Sequence, residues 1–307
     1  VGHSRAASEL ALVGVTVLWA GTFLLIKRAL PWCDPIAFVT LRFSIASIVA
    51  IAIWRSALGQ LRQPAVWKHG MILGLTYAIG FYLQTWGLQH TTIARSALFT
   101  GTFVVFVPVL QRLWWRRYPT APEWWGALTG MIGIALLARP EAGSLNVGDW
   151  ATLAGALAWS FYMGYMSYAG IETLGNIGTG ALVIMQCSVT AALGVVTHLV
   201  AYAVSWPAEQ FLGKFAIVWN ADVVGALLYT SVLASVVTTY LQTRMQPGVS
   251  AVRVALIFAL EPVIATLLGI IAHGERLRVM EALGALMIVG AAFFPILTRA
   301  EVQRDKG

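Results

Sequence analysis

The chain has 307 residues, 59% of them hydrophobic and 11% charged, with a formal net charge of +7 and 13 tryptophans. Soluble domains run to roughly a quarter charged, so this composition, with a mean hydropathy of +0.77, excludes water as the main solvent. Most Lys and Arg residues lie in short clusters between apolar runs, which reads as membrane topology rather than a nucleic-acid footprint, and Cys33 and Cys187 lie in settings too dissimilar for a disulfide framework or metal site.

Apolar stretches fall in chain order at 8–27, 35–54, 68–89, 92–113, 122–139, 149–169, 177–203, 221–243, 249–272 and 279–298. Each is near the roughly 20 residues that cross a hydrocarbon core about 30 Å thick. The sequence therefore predicts ten transmembrane helices and leaves no segment for a soluble domain. The first stretch is long enough to span and reads as a membrane helix, with Val1-Gly2-His3-Ser4 ahead of it as a remnant of processing.

The connections Pro31-Trp32-Cys33-Asp34-Pro35 and Tyr118-Pro119-Thr120-Ala121-Pro122 are short and proline-marked, so neighbouring helices form antiparallel hairpins. Only 204–220 is a longer loop. Arg5, Arg55, Arg62, Lys68, Arg112, Arg116, Arg117, Arg244, Arg299, Arg304 and Lys306 fall on one side, which is expected to be cytoplasmic and to hold both termini. Lys27, Arg28, Arg139, Lys214, Arg276 and Arg278 fall on the other.

A constant offset lays Glu9 on Asp149, Ala11 on Ala151 and Trp19 on Trp159. After the longer loop a larger offset lays Ser96-Ala97 on Ser250-Ala251 and Pro108 on Pro262. The chain thus reads as two repeats, 1–139 and 140–307. A unit with an odd number of spans enters the membrane from the opposite face in its second copy, giving an all-α membrane protein of two inverted five-helix repeats, an arrangement that serves alternating access.

Trp19-Ala20-Gly21-Thr22-Phe23, Leu41-Arg42-Phe43, Ser96-Ala97 with Pro108, Gly148-Asp149, Trp159 and Leu260-Glu261-Pro262 occur in an order that resembles the EamA-type drug/metabolite transporter superfamily over nearly the whole chain. The resemblance implies a ten-helix carrier in which spans one to four and six to nine surround a central cavity, while five and ten lie peripherally, often at a dimer contact. Within the superfamily the chain looks most like bacterial inner-membrane metabolite and amino-acid exporters.

Tyr77, Phe81, Gln84 and Leu88 share one face of the third span, and the larger offset sends them to Ser231, Ser235, Thr238 and Gln242. Polar groups facing lipid are costly, so both stripes are expected to line one cavity; the alternative is interhelical bonding. Thr92, Ser96 and Thr100 form a similar face beside Arg95, for which snorkelling is the preferred reading. Trp19 and Trp159 lie halfway along their spans and, with Tyr162, either stack on substrate or pack the core.

Glu261 lies midway along its span, where a charge costs roughly 3 kcal/mol or more. It needs a partner, a proton or water, and is the candidate coupling site, with Pro262 freeing a backbone carbonyl beside it. Arg253 precedes it by two turns, about 12 Å, too far for direct pairing, and is left to bind anionic groups or snorkel. Arg42 reads as packing or snorkelling, and Glu9 and Asp149 as helix-start acids. Gly126, Gly130 and Gly133, with Gly284 and Gly290, suggest close helix packing, with a homodimer contact as one use.

The five histidines show no ligand spacing and there is no HExxH, so a membrane enzyme is the weaker alternative and no metal is expected. No TVGYG-like pore loop supports a channel, and the absence of GxxxxGKS leaves a gradient or downhill flow as the energy source, with no cofactor. A nucleotide-sugar or phosphate carrier would want several midplane cations. Small neutral or zwitterionic solutes such as amino acids fit the polar and aromatic faces better.

Overall fold

A computed structural model describes residues 4–139, 144–174, 177–203, 215–273 and 278–304. It is all-helical, with no strand among the described residues beyond a single bridge between Cys33 and Ile217. The helices are α1 (Arg5–Ala20), α2 (Thr22–Ala29), α3 (Pro35–Ile53), α4 (Pro64–His90), α5 (Ile93–Gly101), α6 (Phe103–Leu113), α7 (Ala121–Ala138), α8 (Val147–Leu174), α9 (Thr179–Ala203), α10 (Ala221–Ser231), α11 (Thr238–Met245), α12 (Ala251–Phe258), α13 (Glu261–His273) and α14 (Val279–Arg304). A 3₁₀ segment, Arg55–Arg62, precedes α4.

Six of the described helical rods are long and apolar enough to cross a membrane: Arg5–Ala29, Pro35–Ile53, Ile93–Leu113, Thr179–Val200, Ala221–Gly248 and Ala251–Leu268, with Val279–Phe293 a shorter apolar helix. The 27-residue α4 and 28-residue α8 fall outside this set despite their length. They pack on each other and carry Gly, Thr, Ser, Gln and aromatic residues, as expected of helices that face protein more than lipid.

Numbered by the apolar stretches of the sequence, the fourth and ninth rods break at matching places, while the first and eighth are interrupted where their counterparts α8 and α4 continue as helix. The first breaks at Gly21, where the Leu18 and Trp19 carbonyls accept from the Tyr229 and Thr22 hydroxyls. The fourth breaks at Thr102, whose hydroxyl donates to the Phe99 carbonyl at 2.6 Å. The ninth breaks across Ala259-Leu260, just before Glu261-Pro262. Between α10 and α11 the chain widens into a π segment, Val232–Val237.

Caps correct the register of the repeat. Thr92 caps the Arg95 amide and Ser250 caps the Arg253 amide, so Arg95 corresponds to Arg253, and the pairing of Ser96 with Ser250 is one turn out. In this register Tyr82-Leu83-Gln84-Thr85 matches Tyr240-Leu241-Gln242-Thr243.

α4 packs on α8 and α9, α3 on α9, α1 on α11 and α12, and α7 on α14. The glycine face is used inside the chain: a Cβ at Gly133 would lie 2.8 Å from the Gly284 carbonyl, and Gly126 and Gly130 face Leu256 and Ala291. It therefore gives no support to a second copy. The longer loop lies partly outside the described residues, with Lys214 and Arg276; its end pairs with the first connection through Val218 N–H to the Trp32 carbonyl and Ala216 N–H to Asp34 Oδ2.

Candidate functional site

The π segment builds one wall of a central cavity. Because the Thr238 amide bonds back to the Leu233 and Ser235 carbonyls, it skips that of Ala234, as a wide turn does. The spare oxygen accepts from Trp19 Nε1 at 3.2 Å and Arg42 Nη2 at 3.0 Å, while Arg42 Nε donates to Ser235 Oγ at 2.9 Å. The guanidinium also lies 4.4 Å from the Phe81 ring centre. Arg42 is thus fixed mid-span and does not snorkel; its Nη1 has no protein partner among the described residues.

Residues from both halves of the chain line the cavity. Trp19, Phe23, Phe81, Phe103, Trp159 and Phe258 form its aromatic walls, and Thr22, Arg42, Gln84, Thr100 and Glu261 its polar groups. Trp19 and Trp159 meet with ring centres 6.1 Å apart, each backed by another ring: Phe258 at 4.9 Å from Trp19 and Phe81 at 4.6 Å from Trp159. Gly80 makes room for Trp159, since a Cβ there would come within 2.9 Å of the indole. Gln84 donates to Thr100 Oγ1 at 3.0 Å. Glu261, at the head of α13, has no hydrogen-bond or ion-pair partner among the described residues and faces the same cavity as Arg42.

Of the residues singled out from sequence, Trp19, Gln84, Thr100, Trp159 and Glu261 line this cavity. Tyr77, Tyr162, Ser235, Thr238 and Gln242 lie in a packed polar layer behind it. There Tyr77 meets Thr239 at 2.6 Å, Tyr162 donates to Gln186 at 2.7 Å, Gln186 donates to Thr243, and Gln242 donates to Gln246. Gln246 in turn donates to the Met163 carbonyl at 2.7 Å. Beyond this layer, toward the end with Arg112 and Arg117, a second cavity is bounded by Gly164, Ser167 and Ser250. Ser96 is fully buried with no partner for its hydroxyl. Arg42, Thr22, Phe23, Ile26, Phe103, Met163 and Phe258 are wall residues not singled out from sequence.

Neither Arg95 nor Arg253 reaches the cavity. Arg95 is buried against Asp149, and Arg253 donates to Glu9 through Nε at 3.1 Å and Nη2 at 3.0 Å. Asp149 also accepts the Asn146 amide at 2.9 Å, in keeping with its place at a helix start. Among the described residues there is no group of His, Cys, Asp and Glu able to hold a metal.

An all-helical protein with membrane-length rods, broken helices and a cavity at their centre has the make-up of a polytopic membrane transporter. The EamA-like transporter family matches residues 7–139 and again 146–297, and the chain belongs to that family. An uncharacterized transporter of Archaeoglobus fulgidus is 26% identical over 291 residues, covering 94% of this chain and 85% of that one. The uncharacterized transporter YvbV of Bacillus subtilis is 24% identical over 292 residues, covering 93% and 90%. A solved crystal structure shares the fold, with a TM-score of 0.76 at 22% identity over 96% of this chain and 99% of that one. These relatives identify a transporter rather than an enzyme and name no substrate.

Proposed function

We propose that the protein is a secondary carrier that exports amino acids or similar small zwitterionic metabolites across a bacterial inner membrane by alternating access. In this reading the chain crosses ten times as two inverted repeats, 1–139 and 140–307, with both termini in the cytoplasm. The observation that carries it is that Arg42 and Glu261 open onto one aromatic cavity. A zwitterion satisfies both: its carboxylate meets the open side of Arg42, its ammonium meets Glu261, and each otherwise unpaired charge is neutralised away from water. Trp19, Trp159, Gln84 and Thr100 contribute the remaining contacts, and Tyr77, Tyr162, Ser96, Ser235, Thr238 and Gln242 support them from behind or bind in the other facing state.

The broken rods add support, because interrupted helices at a midplane cavity are how many carriers build substrate sites. Phosphate esters fit less well, since Arg42 is the one cation lining the cavity among the described residues and Glu261 repels an anion. Protonation of Glu261 in the unloaded carrier would couple flux to a proton gradient.

The test is counterflow in proteoliposomes with a panel of radiolabelled amino acids, comparing wild type with Arg42→Gln and Glu261→Gln. Saturable counterflow in the wild type, lost in either variant, is the expected result. No counterflow of any amino acid, or variants that exchange like the wild type, overturns the reading.

A further inference from the structure

The fourth and ninth rods do not run side by side along their whole length. They pack through α6 against α12; past the breaks at Thr102 and Ala259-Leu260, α5 turns to α7 and α8 while α13 turns to α1 and α7. The wedge between α5 and α13 holds a third cavity. It borders the central one, for both are lined by Phe23, Thr100, Phe103, Phe258 and Glu261.

Beyond that shared border the walls change character. They consist of Ala97 and Gly101 on α5, Ile134 and Leu137 on α7, and Ala265 and Thr266 on α13. The Thr266 hydroxyl is already committed to the Pro262 carbonyl at 2.8 Å, so the branch offers a ligand no free polar group from these residues. Small side chains on the two facing helices keep it wide, and its other polar side chains, Glu261 and Thr100, stand at the border with the central cavity.

We propose that this wedge is a side-chain subsite, which takes the apolar side chain of a zwitterion whose charged end is held between Arg42 and Glu261, and so selects bulky apolar amino acids over small ones. The inference rests on the zwitterion reading above and adds a size and polarity rule to it. The border that the two cavities share at Glu261 carries it: a charged end there leaves the rest of the molecule beside an apolar space, where only an apolar group loses water without losing hydrogen bonds. A lipid chain would suit the walls but would meet the carboxylate and hydroxyl at the border with nothing to pair them.

The experiment is counterflow of alanine, leucine, phenylalanine and tryptophan in proteoliposomes, with wild type, Ala97→Phe and Ala265→Phe, which fill the wedge from opposite walls. Ala97→Leu and Ala265→Leu are measured alongside as smaller additions, and melting curves in detergent confirm folding. The wild type should favour phenylalanine and tryptophan over alanine, and both Phe variants should lower the phenylalanine-to-alanine ratio by about tenfold, with the Leu variants between. A wild type that prefers alanine, or a ratio unchanged in all folded variants as a lipid-filled wedge would give, overturns the subsite while leaving the zwitterion carrier standing. No counterflow of any of the four in the wild type overturns the carrier reading and the subsite with it.

Discussion

Arg95 closes on Asp149 with its Nε 3.0 Å from Oδ1 and 3.1 Å from Oδ2, tying the head of α5 to the head of α8. Arg253 and Glu9 repeat the arrangement between the heads of α12 and α1. Each pair crosses between the two family-matched segments, in opposite senses. The Arg95 pair is the more enclosed, with Asp149 1% exposed against 16% for the Glu9 side chain. Removing one member of a buried pair strands the other and costs about 3–5 kcal/mol. Arg95→Leu and Asp149→Leu should each lower the melting temperature sharply, and the double variant should recover part of the loss. The same cycle on Arg253 and Glu9 should give a smaller penalty, read by thermal unfolding in detergent. Equal penalties at both pairs would remove the burial argument.

Ser235 acts on the cavity through Arg42. Its hydroxyl accepts from Nε while the Ala234 carbonyl accepts from Nη2, so Ser235→Ala removes one of two bonds that hold the guanidinium. A bond to a charged group contributes about 1.5–3 kcal/mol. Ser235→Ala should therefore weaken amino-acid affinity about tenfold or more, seen as a raised half-saturation concentration in counterflow, and Ser235→Thr, which keeps the acceptor, should retain most of it. A lowered maximal rate at unchanged half-saturation would argue against this positioning role.

Much of this architecture is legible in the residues. The paired Trp19 and Trp159 and the paired acids Glu9 and Asp149 sit in comparable places in the fold, whereas Pro108 lies inside α6 and Pro262 at the head of α13, so that pairing is one turn out. The Tyr-Leu-Gln-Thr tetrapeptide at 82–85 and 240–243 was the stronger register signal, and it aligns Arg95 with Arg253. The partners of those arginines were not legible, because each ion pair joins residues brought together only by packing of the two segments. Arg42 was misleading for a related reason. Its neutralisation comes from a carbonyl released by a π turn and from the Phe81 ring, and neither leaves a mark in local periodicity.

Gly80 controls the depth of the cavity. The Trp159 indole sits where a Cβ on residue 80 would come within 2.9 Å, and it is wedged by Tyr77, Phe81 and Tyr162 with ring centres 5.1, 4.6 and 5.6 Å away. The ring has no free space behind it, so Gly80→Val should drive it toward Trp19 and into the cavity. Overpacking of this kind costs about 1–3 kcal/mol. Counterflow should fall for every amino acid, with a modest drop in melting temperature. A variant that transports like wild type would mean that α4 and α8 separate instead.

The polar layer between the two cavities closes the central site from the arginine-rich end. Gln246 donates to the Met163 carbonyl at 2.7 Å and to Ser167 at 3.2 Å. Met163 lines the central cavity while Ser167 lines the other, so these bonds cross the partition itself. Gln246→Ala removes the bonds to the Met163 carbonyl and Ser167 hydroxyl and leaves the space of its side chain, which should let the partition admit water and shift the carrier toward the state open at this end. In a Cys33→Ser, Cys187→Ala background, Thr22→Cys puts a thiol in the central cavity. An impermeant thiol reagent applied at the arginine-rich end should label it several-fold faster when Gln246→Ala is added, with slower labelling from the opposite end. Faster labelling from both ends would mean a leak rather than a shift between facing states, and unchanged labelling would move the barrier to the Tyr162, Gln186 and Thr243 chain deeper in the layer.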